Sequence, residues 1–313
     1  MTSIFKKLFY DNKWECAYHI KNDNNILYGG DYKVVTIPRG YWAADPFLVD
    51  YNGHVHMFFE YMDQKKHKAM IAQKEIFPVE EDQVHVVYEF PYHTSYPCIF
   101  KFNQKYFMIP ETRANNSIEL LECIEWPNKW IHRGTLMEDV DSADNTVIID
   151  ENNARLLVYK FLEDGKRELL LGRIDFDRNK ICDLQTLKIY NNKNGRPAGN
   201  VFSINKDSFI RVVQPDFNYY GEKIVFYSCS LRNWQFDEIK YDEKTIESIQ
   251  IMNKHRYIGV HTYNCVGNIE CVDLLTKERL NLFKPLKLFF QYLNVFGFGR
   301  YEQKRKIINS DFH

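Results

Sequence analysis

The sequence predicts an all-β fold, a five-bladed β-propeller followed by a short C-terminal helical tail. The main observation is a 17-residue motif that occurs four times. Each copy has a small residue, a polar residue, an apolar strand, a polar turn and a second strand. The four copies cover residues 44–60, 95–111, 143–159 and 198–214, and a degraded fifth copy covers 259–273. Repeats of roughly 40–50 residues built from strand pairs are typical of propeller blades, so five copies predict five blades.

The first two copies show the repeat most clearly. ADPFLVDYNGHVHMFFE and SYPCIFKFNQKYFMIPE align without gaps, and apolar positions match apolar positions. Four pairs of residues are identical: Pro46/Pro97, Asn52/Asn103, Met57/Met108 and Glu60/Glu111. We therefore expect equivalent positions of different copies to occupy equivalent places in their blades.

Each copy supplies the two inner strands of a blade, and the segments that follow supply the outer strands. In the first copy Asn52-Gly53 predicts a tight hairpin turn, because both residues tolerate positive φ. The predicted propeller covers residues 14–280 as one domain, and an N-terminal strand at 15–20 is expected to close the ring and remove its open edges. The other predicted strands are 68–76 and 85–90 in blade one, 117–127 and 129–137 in blade two, 167–177 and 181–190 in blade three, 223–231 and 235–242 in blade four and 270–275 in blade five.

Composition fits one large β-rich body and excludes several classes of protein. The chain has 313 residues, of which 45% are hydrophobic and 16% aromatic, and its formal net charge is −1. A near-neutral chain offers no general attraction to nucleic acid. The seven cysteines include no CxxC pair, so neither a disulfide framework nor a zinc site is predicted. The N-terminus lacks an apolar core long enough for a signal peptide, and a cytoplasmic location is expected.

The C-terminal tail, residues 281–313, has a different composition. Residues 281–306 mix Leu and Phe with six basic side chains and are too short and too charged to span a bilayer. Two structures agree with this pattern: a helix packed on the rim of the propeller, or an amphipathic helix on an anionic membrane surface. The second would suit a lipid-linked substrate and a peripheral position at the inner face of the membrane.

Propeller geometry places the first residues of every inner strand around one mouth of the central channel. The repeat predicts a ring of five residues there: Asp45, Tyr96, Asp144, Gly199 and His261. The ends of the second strands add three carboxylates and an amide: Glu60, Glu111, Asp273 and Gln214. Crowded carboxylates raise one another's pKa, and pairs whose environments differ can act as acid and base.

For two of these carboxylates a structural role competes with a functional one. Asp45 could cap the Asp-Pro turn and Asp144 could form an Asx turn, as Asp commonly does. Trp42 lies three residues before Asp45 and is expected to be an exposed ring of the kind that stacks on sugars, which favours function for Asp45. Neutralising Asp45 is then expected to leave stability unchanged or improved, because it relieves crowded charge. For Asp144 both alternatives stay open.

Four further residues are candidate substrate contacts, each with a structural alternative. His93 could bind a sugar hydroxyl or phosphate, or only form a hydrogen bond within the rim. The planar fork of Arg196 suits a carboxylate or phosphate, and an ion pair between blades is its alternative. Gln214 and Tyr220 could recognise sugar hydroxyls or only pack. No cofactor is predicted, and a channel calcium ion near His261 is a weak alternative.

Seven short motifs carry a family resemblance: WAADPFLV, HTSYP, MIPET, ADNT, RPAGN, QPDFNYYG and GVHTYN. In this order they resemble the propeller domain at the N-terminus of glucosamine inositolphosphorylceramide transferases and of related bacterial proteins. The resemblance covers about residues 14–275. That domain is similar in fold to the five-bladed glycoside hydrolases of families 43 and 68, which implies a carbohydrate-handling site in the channel.

The resemblance also implies roles for three residues. In the hydrolase relatives a blade-one Asp is the base or nucleophile, and Asp45 matches it. A second Asp holds the substrate and tunes pKa values, which suits Asp144, and a Glu is the general acid, for which Glu111 is chosen by position. We expect an enzyme that transfers a glycosyl group from a saccharide or activated sugar, lipid-linked or free, in surface-polysaccharide or glycolipid synthesis. A non-catalytic glycan-binding module and a free-standing glycoside hydrolase are the alternatives.

Overall fold

A computed structural model describes residues 10–11, 13–21, 31–150, 153–192, 194–205, 207–215, 218–277 and 279–280. The chain divides into two compact units. One unit, Trp14–Thr276, is the propeller. The other comprises Met1–Lys13 and Lys277–His313, and its described part contains two short strands that pair with each other. The predicted helical tail, 281–313, lies outside the described residues.

Strands make up most of the described part of the chain. We number them β1–β23, and they are Tyr10–Asp11, Trp14–Ile20, Asp31–Val34, Tyr41–Tyr51, His54–Asp63, Lys68–Phe77, His85–Tyr88, Ser95–Phe102, Lys105–Thr112, Ser117–Glu125, Lys129–Met137, Ser142–Ile149, Ala154–Phe161, Arg167–Asp175, Lys180–Tyr190, Arg196–Asn205, Ser208–Gln214, Lys223–Arg232, Gln235–Thr245, Gln250–Ile251, Tyr257–Val266, Ile269–Thr276 and Arg279–Leu280. Three short 3-10 helices accompany them: Arg113–Asn115, Ile246–Ser248 and Lys254–Arg256. Among the described residues no helix is long and apolar enough to cross a membrane.

Five sheets form the propeller, which confirms the predicted architecture. Blades one to four follow chain order and each contains four antiparallel strands: β4–β7, β8–β11, β12–β15 and β16–β19. Blade five contains β21, β22, β2 and β3, with β20 added in parallel beside β3. Every strand that the sequence predicted is present.

The N-terminal strand closes the ring, as predicted. β2 pairs with β22 along its whole length, from Trp14 opposite Leu275 to Ile20 opposite Ile269. Without β2, strand β22 would present a row of unpaired backbone groups, which is the hazard of any open sheet edge. Closure therefore joins the two ends of the propeller chain in one sheet.

In each blade the inner strand has a larger buried fraction than the outermost strand of the four. Seven of the eight residues of β12 are buried, whereas β19 at the edge of blade four has one buried residue among eleven. The core lies between neighbouring blades: Phe58 and Ile71 of blade one, for example, pack with Met108 and Trp130 of blade two.

Each inner strand contains a β-bulge close to its start. The pairing register shifts between Ala44 and Phe47 in blade one and at the equivalent point in the other four blades. Four residues at these bulges have positive φ: Asp45 (51°), Tyr96 (43°), Asp144 (52°) and Gly199 (142°). Only glycine fits the last position, because a Cβ on Gly199 would lie 1.9 Å from the carbonyl oxygen of Tyr263. Bulges redirect the side chains next to them, and these are the positions that the repeat assigned to the channel mouth.

Candidate active site

The bulges bring polar side chains from all five blades to one mouth of the central channel. The inner strands supply Asp45, Tyr96, Asp144, Arg196 and His261, and the second strands supply Glu60, Glu111, Gln214 and Asp273. Most of them are buried, and the side chain of Glu111 is only 14% exposed. Buried charges require partners. The partners come from other blades, so the residues form one connected site.

Asp45, His261 and Asp273 form a tight cluster between blades one and five. His261 Nε2 lies 3.0 Å from Asp45 Oδ1, and His261 Nδ1 lies 2.8 Å from Asp273 Oδ2. Asp273 also accepts hydrogen bonds from three backbone N–H groups, those of Asp45, His261 and Thr262. Asp45 accepts hydrogen bonds from the Thr262 hydroxyl and from the backbone N–H of Tyr96. Both carboxylates are therefore fixed in orientation by several donors.

His261 is the cation of this cluster. Burial alone lowers the pKa of a histidine, but the carboxylates of Asp273 and Asp45 outweigh burial and raise the pKa of His261 to about 10. The imidazole also packs between aromatic rings, with its centroid 4.1 Å from the Trp14 ring and 5.0 Å from the Tyr220 ring. An imidazolium in this place balances buried negative charge and gains from the aromatic faces.

Arg196 forms the second charged group, across blades two, three and four. Its guanidinium makes a bidentate ion pair with Asp144, in which Nε donates to Oδ2 and Nη2 donates to Oδ1 at 3.2 Å. The same Nη2 donates to Glu111 Oε2 at 3.4 Å. Gln214 Nε2 donates to Asp144 Oδ2 at 3.3 Å. The structure thus shows the ion pair between blades that was the alternative for Arg196.

Two carboxyl groups of the site hold their protons more tightly than usual. Burial, and then the charge of Asp144, raises the pKa of Glu111 well above its usual range, although Arg196 opposes the shift. Burial, and then the charge of Asp45, does the same for Glu60. Like charges in a poorly solvated site have this effect. Each glutamate is thus a proton-holding carboxyl close to an aspartate.

Tyr96 occupies the blade-two place in the ring, but its hydroxyl is engaged inside the protein. The side chain is completely buried. Its hydroxyl oxygen lies 2.9 Å from Thr146 Oγ1, donates to the carbonyl of Gly199 at 3.0 Å and accepts from the N–H of Gly199 at 2.8 Å. These bonds tie blade two to blades three and four, so Tyr96 braces the channel.

Two predicted substrate contacts lie at the rim of the site. The side chain of His93 is 38% exposed, and its Nε2 lies 3.5 Å from Glu60 Oε1. Tyr220 is 39% exposed, and the guanidinium of Arg196 lies 5.7 Å from its ring centroid. Both side chains can therefore be reached from solvent next to buried charged groups.

Trp14 is a site residue that the sequence did not single out. It lies on β2, packs on His261 and shares a small apolar cluster with Trp42. Trp42 is therefore half-buried, which corrects the expectation of an exposed ring. Close approach of Trp14 requires Gly221, since a Cβ there would lie 2.6 Å from the indole. The signal in the sequence was the predicted N-terminal strand, because closure of blade five brings that strand to the channel.

Asp45, His261 and Asp273 also have the geometry of a metal-binding group, since one ligand atom of each lies within 4.8 Å of the others. Both imidazole nitrogens face carboxylate oxygens, however, and an imidazolium has no lone pair for a metal. Calcium prefers roughly six to eight oxygen ligands, and only two residues of this group carry carboxylates. The arrangement of these side chains therefore favours a protonated imidazole between two carboxylates over a bound calcium ion. The channel calcium ion stays a prediction.

Residues 12–266 match the family described as glucosamine inositolphosphorylceramide transferase 1, N-terminal. The chain belongs to this family. The matched region includes every residue of the site except Asp273. No curated protein sequence matches the chain. The family match bears out the resemblance carried by the seven motifs and makes this a carbohydrate-related propeller domain.

Solved structures with the same fold are glycoside hydrolases. An α-L-arabinofuranosidase from Podospora anserina in complex with cellotriose has a TM-score of 0.56 at 12% identity, over 77% of this chain and 80% of that one. A family 117 glycoside hydrolase from Zobellia galactanivorans has a TM-score of 0.50 at 12% identity, over 86% and 91%. An exo-β-1,3-galactanase from Phanerochaete chrysosporium with β-1,3-galactotriose has a TM-score of 0.51 at 9% identity, over 82% and 64%. At these identities the likeness is one of fold.

Proposed function

We propose that the channel mouth is the active site of a carbohydrate-active enzyme that transfers a glycosyl group in surface-polysaccharide or glycolipid synthesis. The observation that carries this proposal is the position of Glu111, a carboxyl of raised pKa that shares Arg196 with Asp144. A general acid must keep its proton near neutral pH, and a neighbouring carboxylate such as Asp45 can act as the base. The description of the family as a transferase favours transfer over hydrolysis.

In the proposed reaction Glu111 gives its proton to the leaving oxygen as the carbon–oxygen bond of the donor sugar breaks. In a single step, Asp45 takes the proton of the acceptor hydroxyl as the new carbon–oxygen bond forms. In two steps, Asp45 first bonds to the sugar carbon; the acceptor oxygen then breaks that bond and takes the sugar while the ionised Glu111 takes the acceptor's proton. Asp144 acts on the pKa of Glu111 through its charge. Arg196 is a positioning residue, because its guanidinium contacts both acidic side chains.

The substrate is proposed to bind at the exposed rim of the channel mouth. We assign a saccharide or activated sugar, lipid-linked where the product is a glycolipid, to the mouth beside His93 and Tyr220. Both side chains are exposed at the rim and offer hydrogen bonds or an aromatic face to a sugar. The reaction is proposed for the cytoplasm, with residues 281–306 as a peripheral contact to the inner face of the membrane.

One observation favours a second candidate, a glycan-binding module without turnover. Asp45 and Asp144 are each held by several protein donors, and such rigid carboxylates can orient sugar hydroxyls without transferring protons. In that case the raised pKa of Glu111 would be a consequence of crowding alone.

Mass spectrometry of products separates these functions. Wild type, Glu111→Gln and Asp45→Asn are incubated with activated sugars, lipid-linked saccharides and polysaccharide fragments. Transfer gives an acceptor that is one sugar residue heavier, hydrolysis gives a shortened saccharide, and both variants should give neither. Glu125→Gln is the matched control, because Glu125 is 76% exposed on an outer strand.

Two other outcomes of this experiment would contradict the proposed reaction. Glycans bound by wild type but never converted would establish the binding module. Product formed by Glu111→Gln at the wild-type rate would show that Glu111 is not the acid.

A further inference from the structure

A groove of about 1020 Å³ lies at the other end of the inner strands from the carboxylates. Its walls are the tips of the inner hairpins of blades two, three and four and the outer hairpins of blades three and four. On β12, Ile149 of the groove is five residues from Asp144 of the channel mouth, roughly 16 Å along an extended strand. The groove therefore belongs to a different surface, and its volume suits a small ligand.

Trp234, which lines this groove, has an unusual backbone conformation for a bulky residue. It is the second residue of the two-residue loop Asn233-Trp234, since Arg232 pairs directly with Gln235. Both loop residues have positive φ, 50° and 66°. A loop of this type strongly favours glycine at its second position. A bulky residue with positive φ is a true outlier, and such strain persists mainly where function requires the side chain.

The loop presents the indole of Trp234 to the groove instead of burying it. The residue is 41% exposed. Phe209 and Leu231 contribute apolar surface to the same groove. An exposed, rigid aromatic face beside a concave surface is suited to stacking on the apolar face of a sugar ring.

The rest of the groove is polar but electrically balanced. Five of the lining side chains are neutral amides or a hydroxyl: Asn103, Asn153, Ser203, Asn205 and Asn233. The lining also includes three basic and three acidic side chains: Lys101, Arg155, Arg173, Asp150, Asp183 and Asp207. Some of these charges are paired within the groove: Arg155 lies 2.5 Å from Asp150 and Arg173 lies 3.4 Å from Asp183.

This lining selects a ligand with many hydroxyls and no net charge. Balanced charges give no reason to concentrate an anion or a cation. Amide, carboxylate and guanidinium groups can each bind two neighbouring hydroxyls, and they surround one aromatic face. From this combination we propose that the groove is a second saccharide-binding site, specific for a short neutral oligosaccharide and separate from the channel mouth.

Nuclear magnetic resonance can observe the two sites separately. The indole N–H of Trp234 reports on the groove and that of Trp14 on the channel, and the Trp234 signal is assigned by its loss in Trp234→Phe. The probes are cellotriose and β-1,3-galactotriose, the sugars bound by the two structural relatives. At least one probe at millimolar concentration is expected to shift the Trp234 signal saturably.

The variant Trp234→Ala tests the aromatic contact, with backbone amides of Asn103 and Asn205 as reporters. The dissociation constant at the groove should rise about tenfold. Tyr241→Ala is the control, because Tyr241 is an exposed aromatic on β19, the strand that follows Trp234, and does not line the groove. The affinity of this variant should equal that of wild type. Shifts of Trp14 alone, no shift of Trp234 with either sugar, or equal affinities of Trp234→Ala and Tyr241→Ala would each overturn the proposal.

Discussion

Two cations at the channel mouth each lie between carboxyl groups of different blades: His261 between Asp45 and Asp273, and Arg196 between Asp144 and Glu111. Removing one member of a buried pair leaves the other charge uncompensated, which costs about 3–5 kcal/mol. This changes the expected effect of neutralising Asp45. Sequence alone suggests relief of crowding, whereas contact with His261 predicts that Asp45→Asn lowers the free energy of unfolding.

The pH dependence of stability should report the charge on His261. Its pKa is about 10 in the folded protein and 6.5 ordinarily, so its stabilisation is complete below about pH 6.5 and is lost as the pH rises through about 10. His261→Gln should remove this dependence and lower the free energy of unfolding by about 3–5 kcal/mol at neutral pH. Denaturant unfolding at a series of pH values measures both effects.

His255→Gln is the control for this measurement, because His255 is exposed. Its stability curve should run parallel to that of wild type. If wild type and His261→Gln had the same slope between pH 6.5 and 10, His261 would not be the charged partner of Asp45 and Asp273.

Two glutamates compete for the role of acid, and their variants separate them. A general acid contributes about 10²–10⁴ in rate, so Glu111→Gln should slow product formation by about that factor. The wild-type rate should fall as the pH rises through the raised pKa of Glu111, because the acid acts only while it holds its proton. Pre-steady-state rates across a range of pH test this. If Glu60→Gln instead removed the alkaline fall, Glu60 would be the acid.

At the scale of strands, the bulge near the start of each inner strand directs side chains at equivalent repeat positions to the channel mouth. The sequence could place Asp45, Asp144 and His261 at one mouth because the start of an inner strand occupies the same place in every blade. It could not show which side chains pair there, since the partners lie far apart in the chain: Asp45 contacts Asp273, and Arg196 contacts Glu111.

Tyr96→Phe should destabilise the bulges without changing the surface of the protein. Loss of the hydroxyl leaves the N–H and carbonyl of Gly199 without this partner inside the channel, which costs about 1–3 kcal/mol. Thermal unfolding measures the change, and Tyr241→Phe on an exposed strand should have none. Equal melting temperatures for both variants would contradict the bracing role of Tyr96.

The positive φ of Trp234 should lower the stability of the protein, whereas its side chain should strengthen sugar binding in the groove. Trp234→Gly relieves a side chain held at positive φ and is expected to raise the free energy of unfolding by about 1 kcal/mol while it weakens sugar binding in the groove. Gly53→Ala is the reciprocal control, because Gly53 has φ 84° with open space around it and should lose about as much. A less stable Trp234→Gly would mean that the indole is there for packing.

At the scale of the whole molecule, the inner strands connect two different surfaces. Buried charged groups lie at the strand starts, and a balanced polar groove with an exposed indole lies at their ends. The five-bladed ring and its closure by β2 were predictable, because both depend on local strand patterns. The groove was not, because the predicted strands 223–231 and 235–242 place Trp234 in a turn without showing its positive φ or the other hairpins that meet it in space. Trp14 likewise reaches the channel only because β2 closes the ring.

The most direct test of the acid role is a titration of the side-chain carboxyl carbons of Glu111 and Glu60 by nuclear magnetic resonance. Both should keep their protons well above pH 4.5, the usual pKa of a glutamate. Asp144→Asn should lower the pKa of Glu111, because the charge of Asp144 helps to raise it. Titration of both glutamates near pH 4.5 in the wild type would contradict the account, since neither residue would then hold a proton to donate at neutral pH.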